Sequence, residues 1–474
     1  MTHIVIIGAG ISGLTVAYRL QQAAPDTRVT LLEAGECVGG TAQTVHRQGF
    51  HIDEGPNGFL TNVPETWDLA ADLGLEMCAA ADSAKKRWLY GRRGLIAAPA
   101  SPLAFLASPL LPWSAKLRVA WEPFARRAQQ DDETVYAFAE RRLGRAFAEE
   151  VIRPMVVGIT AGDARFISLK ALFPRMWKLE NSYGGLVRAW LQRTIERRLG
   201  KNTEPERIPG GPDGPGGRLT TCATGGIGDL CVALAAAIGE GLHLNRRVTR
   251  LAFDPQQARP WTVTCAQAVY AADQVVLAIP AYAAAPLLEP LLPHAARMAA
   301  AIPYAGVRVI ALAYPRSAIA PRHRGFGFLV HPETQAAILG CLWTSDFFPH
   351  QAPPDQALFR VLLGGTIDPH LVTADDTEAL LTARGALARI MGLHVPATLV
   401  HQRVWPRGIP QYVPGHLAKV AALRQALQQS PGLHLCGNAY DGIGINDCVR
   451  GATQVAQRVQ AAARGAAGHR QEKV

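Results

Sequence analysis

Apolar and polar positions at the start of the chain form blocks that predict a strand, a turn, a helix and a second strand. Four apolar residues, Ile4–Ile7, predict a buried strand, and the glycine-rich segment Gly8–Gly13 follows them directly. After a helix-length stretch, Arg28–Leu32 predicts the second strand, which ends at Glu33. Two parallel strands joined by a helix form a βαβ unit, so we expect the N-terminus of the helix to face the turn.

The glycines of this turn have the spacing of a dinucleotide-binding site. Gly8 permits a tight turn, Gly10 lets backbone N–H groups approach a pyrophosphate, and Gly13 lets the helix pack close to the strand. Glu33 lies about 20 residues farther along, where a carboxylate can bind a ribose hydroxyl. The pattern alone leaves NAD and FAD equally open.

Later segments predict further elements of different kinds. Residues from about Lys116 to Arg198 have helical spacing, and the Gly/Pro-rich stretch Lys201–Arg218 predicts an exposed loop. From Gly325 to Gly365, short apolar runs alternate with turn residues, which favours a second, mixed sheet. Near the C-terminus, the strand Leu433–Cys436 is followed by a helix from Asp447 to about Ala463.

Two of these features favour FAD over NAD. A glycine pair, Gly39–Gly40, follows Glu33 and allows further close backbone approach along a long cofactor. The C-terminal helix brings a second helix N-terminus, whose N–H groups suit the negative charge that reduced flavin develops. An ordinary final strand–helix element is the alternative for that C-terminal unit.

The predicted fold class is α/β, with a discontinuous Rossmann-like FAD-binding domain, an inserted mixed α+β substrate domain and a helical subdomain. Strand–glycine–helix units at both ends of the chain, with other material between them, are the basis for this arrangement. We expect the FAD-binding domain at residues 1–82, 222–282 and 425–474, the substrate domain at 83–95, 165–221 and 283–424, and the helical, membrane-facing subdomain at 96–164.

Composition excludes several function classes. The chain has 474 residues, of which 49% are hydrophobic and 18% charged, and a net charge of +10. Its arginines are scattered and accompany no nucleic-acid-binding signature, so we expect no nucleic-acid partner. The positive charge instead favours an anionic small substrate or anionic lipid headgroups.

Cysteine usage predicts a reducing compartment and no metal site. The eight cysteines include no CxxC pair and no Cys/His cluster with metal-ligand spacing. The N-terminus enters the first strand directly, so we expect no signal peptide and a cytoplasmic location.

One uncharged stretch, Gly94–Ala115, resembles a membrane segment in composition. It contains four prolines, which would break a spanning helix repeatedly. We therefore expect an apolar wall of the substrate domain or a surface that rests on the inner face of the cell membrane. A homodimer is also compatible with the sequence.

Several longer motifs resemble one family along nearly the whole chain. They include Gly8–Gly13, Phe50–Asn57, Gly158–Asp163 and Gly225–Gly226, and the most distinctive are Trp405–Tyr412 and Tyr440–Cys448. In these motifs the sequence resembles the protoporphyrinogen oxidase family of FAD oxidases, within the larger amine-oxidase-like superfamily. The first motif alone would admit any FAD or NAD protein, whereas the Trp405–Tyr412 segment narrows the resemblance to this family.

The resemblance implies a set of cofactor contacts. The first turn would contact the pyrophosphate, and Glu33 would contact the ribose. Ala34 and Thr41 would line the same channel, and the family often has a bulkier or basic residue at the position of Thr41. Val248 would contact the adenine through its backbone, and Trp405 would close over the flavin. The remaining residues implied are Gly8, Ala9, Gly10, Ile11, Ser12, Gly13, Gly39 and Gly40 for the FAD diphosphate side, Gly55, Pro56, Asn57 and Gly58 for the flavin ring, and Gly442, Ile443 and Gly444 for its pyrimidine edge.

The resemblance also implies the reaction. Members oxidise porphyrinogen to porphyrin, with O2 reoxidising the flavin, which accepts the hydride, so no nucleophile or general base is assigned. Arg87 matches an arginine that pairs with a propionate, and Leu329, Leu342 and Leu362 match the substrate walls. From the residues alone, Arg87 could equally end a surface strand, and the leucines could be core residues.

Three alternatives stay open from the sequence. The first is a coproporphyrinogen oxidase of the same fold, whose substrate differs in its number of carboxylate arms. The second is another flavin enzyme, such as an amine oxidase or a carotenoid desaturase. The third is a binding protein that keeps the fold without redox chemistry.

Overall fold

The computed structural model describes residues 1–24, 26–128, 130–198 and 217–471. A five-stranded parallel sheet is assembled from three distant parts of the chain, as expected for a discontinuous Rossmann-like domain. Across this sheet the strands lie in the order Leu242–His243, Arg28–Leu32, His3–Ile7, Gln274–Leu277 and Leu433–Leu435.

Helices cover both faces of the parallel sheet. Because side chains alternate along a strand, Ile4 and Ile6 pack in one core and Val5 and Ile7 in another. Burial on both faces explains why the first strand is an unbroken apolar run. The first core includes helices Ile11–Ala23, Gly228–Ile238 and Ile445–Gln471, and the second includes helices Ala281–Leu288, Pro293–Ala300 and His416–Ala426 and the antiparallel strands Val248–Phe253, Trp261–Cys265 and Ala268–Ala272.

A seven-stranded mixed sheet forms the second large layer. Its strands lie in the order Leu399–Pro410, Tyr304–Pro315, Gln356–Gly364, Gly340–Leu342, Gly327–Val330, Arg87–Gly91 and Gly94–Ala97. Helix Asp376–Met391 packs on one face, where it contacts buried residues such as Leu312, Phe359 and Val361. The opposite face is therefore the one available to a site.

The helical region accounts for most of residues 102–198. Its α-helices are Pro102–Ala107, Trp113–Ala120, Val135–Leu143, Arg145–Phe147, Arg153–Thr160, Leu169–Leu172, Pro174–Tyr183 and Leu186–Arg198. The fully buried Arg142 ties this region together, because its guanidinium lies 2.6 Å from the Glu122 carboxylate and 2.7 Å from that of Glu180.

Elsewhere, short elements complete the fold: the hairpin Thr44–Arg47 and Phe50–Asp53, the small sheet Phe59–Leu60, Met77–Ala79 and Leu219–Cys222, and helices Pro64–Asp72, Thr344–Phe347 and His370–Thr373.

The structure confirms the predicted helical stretch and the second, mixed sheet. The C-terminal helix is longer than predicted, since it begins at Ile445 and continues to Gln471. Most of the predicted loop at Lys201–Arg218 lies outside the described residues. The domain limits stay a prediction. Helices Ala281–Leu288 and Pro293–Ala300 pack on the parallel sheet, although most of their residues follow the predicted limit of the FAD-binding domain at residue 282.

The uncharged segment at residues 94–115 does not form one continuous helix. It contains the strand Gly94–Ala97, the helix Pro102–Ala107 and the start of the helix Trp113–Ala120. Within the described part of the chain, no helix is both long enough and apolar enough to cross a membrane.

Candidate active site

Two glycines of the first turn are required by close backbone packing. A Cβ atom on Gly13 would lie 1.9 Å from the carbonyl oxygen of Gly8, and one on Gly8 would lie 2.6 Å from that of Ala278. Gly8 also has a φ of +102°, which residues with a Cβ rarely adopt. The helix therefore lies as close to the first strand as the glycine spacing predicts.

Gly10 differs because the space beside its Cα is open. Apart from its two chain neighbours, no described residue has an atom within 4 Å of the position that its Cβ would occupy. Gly10 precedes helix Ile11–Ala23, and no side chain caps that helix. Since the first N–H groups of a helix lack intrahelical partners and carry the positive end of the dipole, the turn presents a cradle lined by Ile11, Ser12 and Gly13 donors that suits a pyrophosphate.

The second glycine pair lies against this turn. Gly39 donates its N–H to the carbonyl oxygen of Ala9 at 2.8 Å and forms a parallel bridge with Gly10. A Cβ on Gly40 would lie 3.4 Å from the Cα of Gly10, so a side chain there would narrow the cradle. The two glycine segments form one continuous backbone surface.

Glu33 joins the turn to the end of the second strand. Its carboxylate accepts hydrogen bonds from the N–H groups of Ala9 and Gly35, each at 2.8 Å. A carboxylate has about four acceptor sites, so these bonds leave capacity for a ribose hydroxyl. Ala34 follows directly, and the Arg246 N–H donates to the Glu33 carbonyl oxygen at 2.7 Å, which brings the strand beginning at Val248 to the same end of the sheet.

The predicted flavin-ring segment, residues 55–58, is folded tightly against neighbouring backbone. A Cβ on Gly55 would lie 2.0 Å from the carbonyl oxygen of Thr41, and one on Gly58 would lie 2.2 Å from that of Thr220. Thr41 thus contacts this segment through its backbone. Pro56 and Asn57 lie between these two fixed points.

Two strands of the seven-stranded sheet hold the same segment from one side. Trp405 donates its Nε1–H to the carbonyl oxygen of Glu54 at 2.8 Å, and Arg360 donates to the carbonyl oxygen of Gly55 at 2.6 Å and to Oδ1 of Asn57. Trp405 therefore lies beside the start of residues 55–58, and its implied position over the flavin stays a prediction. The structure thus brings these predicted ring contacts together.

Sequence reasoning missed several charged residues of this region. The Glu54 carboxylate lies 2.7 Å from Nε2 of His401 and 3.4 Å from Nε of Arg403, and the Arg403 guanidinium lies 4.3 Å from the centre of the Trp405 ring system. One signal was available, because His401, Arg403 and Trp405 alternate along one strand and therefore share a face.

A buried carboxylate, Asp53, lies next to this segment. It accepts hydrogen bonds from Thr44 at 2.6 Å, from Gln351 at 2.8 Å and from the Ile227 N–H at 3.1 Å. Burial nevertheless raises the pKa of Asp53 to about 6, against the lowering effects of Arg360 and of these donors. Asp53 therefore titrates at a mildly acid pH in the folded protein.

The C-terminal motif meets the ring segment from the other side. Asn446 donates its amide to the Leu60 carbonyl oxygen at 2.8 Å, which ties the start of helix Ile445–Gln471 to the strand after Gly58. Gly442 donates its N–H to the hydroxyl of Tyr412 at 3.0 Å. This hydrogen bond fixes the turn that contains Gly442, Ile443 and Gly444, and the implied contact of these three residues with the pyrimidine edge stays a prediction.

Cross-strand register places Arg87 and Leu342 on the face of the sheet that carries Arg360. Arg360 pairs with Leu342, Leu342 with Gly327, and Gly327 with Arg87. Paired residues on neighbouring strands point to the same side of a sheet. These residues thus form one row that runs from the ring segment to the start of strand Arg87–Gly91, the last strand but one of the sheet.

A second row on this face contains the other two predicted substrate residues. Leu362 pairs with Gly340, and Gly340 pairs with Leu329. Because Leu362 lies two residues after Arg360 on one strand, this row is parallel to the first. The three leucines are all half-buried, and Gly340 between them contributes no side chain, so these two rows present an apolar surface.

Arg87 lies at the outer end of its row. Its side chain is exposed, and its guanidinium lies 5.2 Å from the centre of the Phe326 ring. An exposed guanidinium beside an apolar face suits a carboxylate on a flat apolar ligand. Arg87 is also the first residue of strand Arg87–Gly91, so the alternative interpretation, an arginine that only ends a surface strand, stays open.

These features fit FAD. The open cradle at Gly10 has the donor set of a diphosphate site, and Glu33, which is hydrogen-bonded to the same turn, would hold the ribose. Residues 55–58 lie near the start of the C-terminal helix, because Asn446 is hydrogen-bonded to Leu60. When bound, FAD supplies a two-electron acceptor. Among the described residues, no group of three metal-ligating side chains is present.

Comparison with known proteins decides the family. The profile described as flavin containing amine oxidoreductase matches residues 11–460. The chain belongs to this family. It is an FAD-dependent oxidoreductase, and FAD is its cofactor.

Relatives within the family cover almost the whole chain. The chain is 30% identical to the chloroplastic protoporphyrinogen oxidase of Nicotiana tabacum, over 96% of this chain and 85% of the relative. It is 28% identical to the coproporphyrinogen III oxidase of Bacillus subtilis (strain 168), over 94% and 95%.

Solved structures agree with the fold. A crystal structure of a protein from Exiguobacterium sp. 255-15 that carries the provisional name protoporphyrinogen oxidase matches with a TM-score of 0.81 and 25% identity, over 97% of this chain and 99% of that one. The cyclohexylamine oxidase of Brevibacterium oxydans IH-35A matches with a TM-score of 0.69 and 19% identity, over 97% and 98%, which shows the fold alone.

Proposed function

We propose that this flavoprotein oxidises protoporphyrinogen IX to protoporphyrin IX in tetrapyrrole biosynthesis. Six electrons leave the substrate in three two-electron steps, and three O2 molecules become three H2O2. The apolar sheet face with Arg87 at its edge, which begins beside the proposed ring segment at residues 55–58, is the observation that carries the proposal. The likeness to the tobacco enzyme supports it.

The residues of this face have binding and orienting tasks. Leu329, Leu342 and Leu362 would contact the plane of the tetrapyrrole and exclude water from it, while the Arg87 guanidinium would pair with a propionate and set the register of the ring. Bound FAD supplies the hydride acceptor. We assign no side chain as nucleophile or general base.

A second candidate substrate is coproporphyrinogen III, because the Bacillus subtilis relative carries that name and matches the chain over nearly its full length. Both substrates present the same apolar macrocycle, but coproporphyrinogen has more carboxylate arms. The decisive assay follows the growth of porphyrin fluorescence in air with each porphyrinogen in parallel. A higher kcat/KM with coproporphyrinogen would overturn the assignment to protoporphyrinogen.

Arg87 gives the assay a residue-level test. Arg87→Ala should raise KM about tenfold, because a charge-assisted hydrogen bond to the substrate is lost, while kcat and the flavin spectrum change little. Arg92→Ala is the matched control, since Arg92 is exposed on the turn after the same strand and its guanidinium lies 3.3 Å from the Glu333 carboxylate. Equal KM values for the two variants would contradict a propionate contact at Arg87.

We further propose that the protein, in the cytoplasm, rests on an anionic phospholipid bilayer through the helical region. Large apolar side chains there are exposed, among them Leu103, Trp113, Leu117, Trp121 and Phe124, each more than 60% exposed. Trp113, Leu117 and Trp121 follow one another at four-residue spacing and lie on one side of helix Trp113–Ala120 and its C-terminal end. An exposed apolar patch on a protein of net charge +10 suits such a surface.

Vesicle flotation tests this surface. The wild-type protein should float with vesicles that contain phosphatidylserine, and a Leu117→Ser, Trp121→Ser double variant should remain at the bottom of the gradient with its flavin spectrum unchanged. Wild-type protein that stays at the bottom at low salt would contradict membrane contact. The homodimer stays a prediction, which sedimentation equilibrium of the holoprotein tests.

A further inference from the structure

Arg360 is a buried cation whose guanidinium contacts neutral acceptors. Its exposed fraction is 1%, and it donates to the Gly55 carbonyl oxygen and to Oδ1 of Asn57, while its Nε has no hydrogen-bond partner in the described part of the chain. Among the described residues it forms no salt bridge. A fully buried arginine without a carboxylate in contact is unusual, because desolvation of the charge is left without a direct partner.

The two carboxylates nearest to Arg360 are held by other groups. Asp53 accepts from Thr44, Gln351 and the Ile227 N–H, and Glu54 contacts His401 and Arg403. Both act on Arg360 only through space, where they oppose the lowering of its pKa by burial. The arginine remains charged, since a guanidinium does not lose its proton in proteins.

The position of this charge suggests its task. The guanidinium fork holds Gly55 and Asn57, while Trp405 of the same sheet face holds the Glu54 carbonyl oxygen. We propose that Arg360 is a positioning residue that fixes residues 55–57 against the flavin ring and stabilises the negative charge of the reduced cofactor. This inference rests on the proposed placement of that segment beside the ring, and it is independent of which porphyrinogen is oxidised.

The test measures the midpoint potential of the bound FAD, by photoreduction of the holoprotein with a reference dye. Removal of the positive charge in Arg360→Gln should shift the equilibrium for reduction at least tenfold towards the oxidised cofactor. For a two-electron couple, this shift makes the midpoint potential about 30 mV more negative. Arg360→Lys, which keeps the charge but loses the fork, should lie between Arg360→Gln and the wild type. If the glutamine variant fails to fold, the lysine variant alone carries the same prediction of a lowered potential.

Arg308 provides a matched control. It is 3% exposed, lies on a neighbouring strand of the same sheet, and also has an unpartnered Nε. Its pairing with Leu363 points it to the opposite face, where its guanidinium contacts the Asp376 carboxylate at 2.8 Å. Arg308→Gln should lower the melting temperature and leave the potential unchanged. A potential that is unaltered in both Arg360 variants, or equally altered in Arg308→Gln, would overturn the proposal.

Discussion

Gly10→Ala should change the stability of the apoprotein and its affinity for FAD in opposite directions. Gly10 has a φ of −71° and a ψ of 174°, which alanine adopts without strain, and no described residue other than its chain neighbours comes within 4 Å of the Cβ position. The substitution should therefore increase the free energy of unfolding of the apoprotein by about 0.4–1 kcal/mol, because the unfolded chain loses conformational freedom.

The same methyl group would occupy the cradle proposed for the pyrophosphate. Overpacking of a fitted site costs about 1–3 kcal/mol, which corresponds to a Kd for FAD raised by about 5- to 150-fold. Urea denaturation of the apoprotein measures the first quantity, and quenching of flavin fluorescence on titration with apoprotein measures the second. Higher stability of the apoprotein together with weaker FAD binding is the result expected for a site that is open in the apoprotein and filled by the cofactor.

Two further glycines serve as controls. Gly385 lies inside helix Asp376–Met391, and outside that helix no described residue comes within 4 Å of its Cβ position, so Gly385→Ala should stabilise the fold and leave FAD affinity unchanged. Gly13→Ala should impair both folding and binding, because its Cβ would lie 1.9 Å from the Gly8 carbonyl oxygen. An unchanged Kd for FAD in Gly10→Ala would refute the placement of the pyrophosphate at this turn.

Three other predictions concern separate regions. Because the pKa of Asp53 is raised from 3.8 to about 6 in the folded protein, its contribution to stability is present below pH 3.8 and is lost as the pH rises through about 6. The full difference is about 3 kcal/mol, so the free energy of unfolding of Asp53→Asn relative to wild type should rise by about 2 kcal/mol from pH 4 to pH 7, and a pH-independent difference would contradict this linkage. Arg142→Leu leaves the buried Glu122 and Glu180 carboxylates without their cation, and denaturant unfolding should show a loss of about 3–5 kcal/mol. A loss of unfolding free energy below about 1 kcal/mol would contradict the expected destabilisation by the two unpaired buried carboxylates. Gly158→Ala would place a Cβ 2.3 Å from Cδ2 of Leu329 and displace that side chain. Steady-state kinetics should therefore show a raised KM for protoporphyrinogen with an unchanged flavin spectrum. An unchanged KM would count against a contact between Leu329 and the substrate.

Elements formed by local patterns were predictable in detail. The second strand, Arg28–Leu32, has the predicted bounds, and the first glycine turn has the predicted close packing. Both depend on neighbouring residues, because apolar runs select strands and glycine permits positive φ. The end of the C-terminal helix was less predictable, since the alanine-rich stretch after Val459 has helix-forming residues without a distinct stop signal.

Contacts between distant segments were predictable only in part. The resemblance pointed to Asn57 and to Trp405, but a lone arginine in the apolar strand Gln356–Gly364 carries no local signal. Arg360 reaches Asn57 across 303 positions of sequence. The hydrogen bond from the Gly442 N–H to the Tyr412 hydroxyl likewise joins two distant segments and has no local signal.

The sequence by itself determined the cofactor turn, the acidic residue after the second strand, the order of helical and mixed regions and the family resemblance. These features follow from periodicity and from backbone conformations that a few neighbouring residues impose. Tertiary structure alone decided that Arg87, Leu329, Leu342 and Leu362 share one face of a sheet with Arg360, and that Arg360 lies buried against residues 55–57. Strand order and register set these neighbours, and both depend on how the whole chain buries its apolar surface.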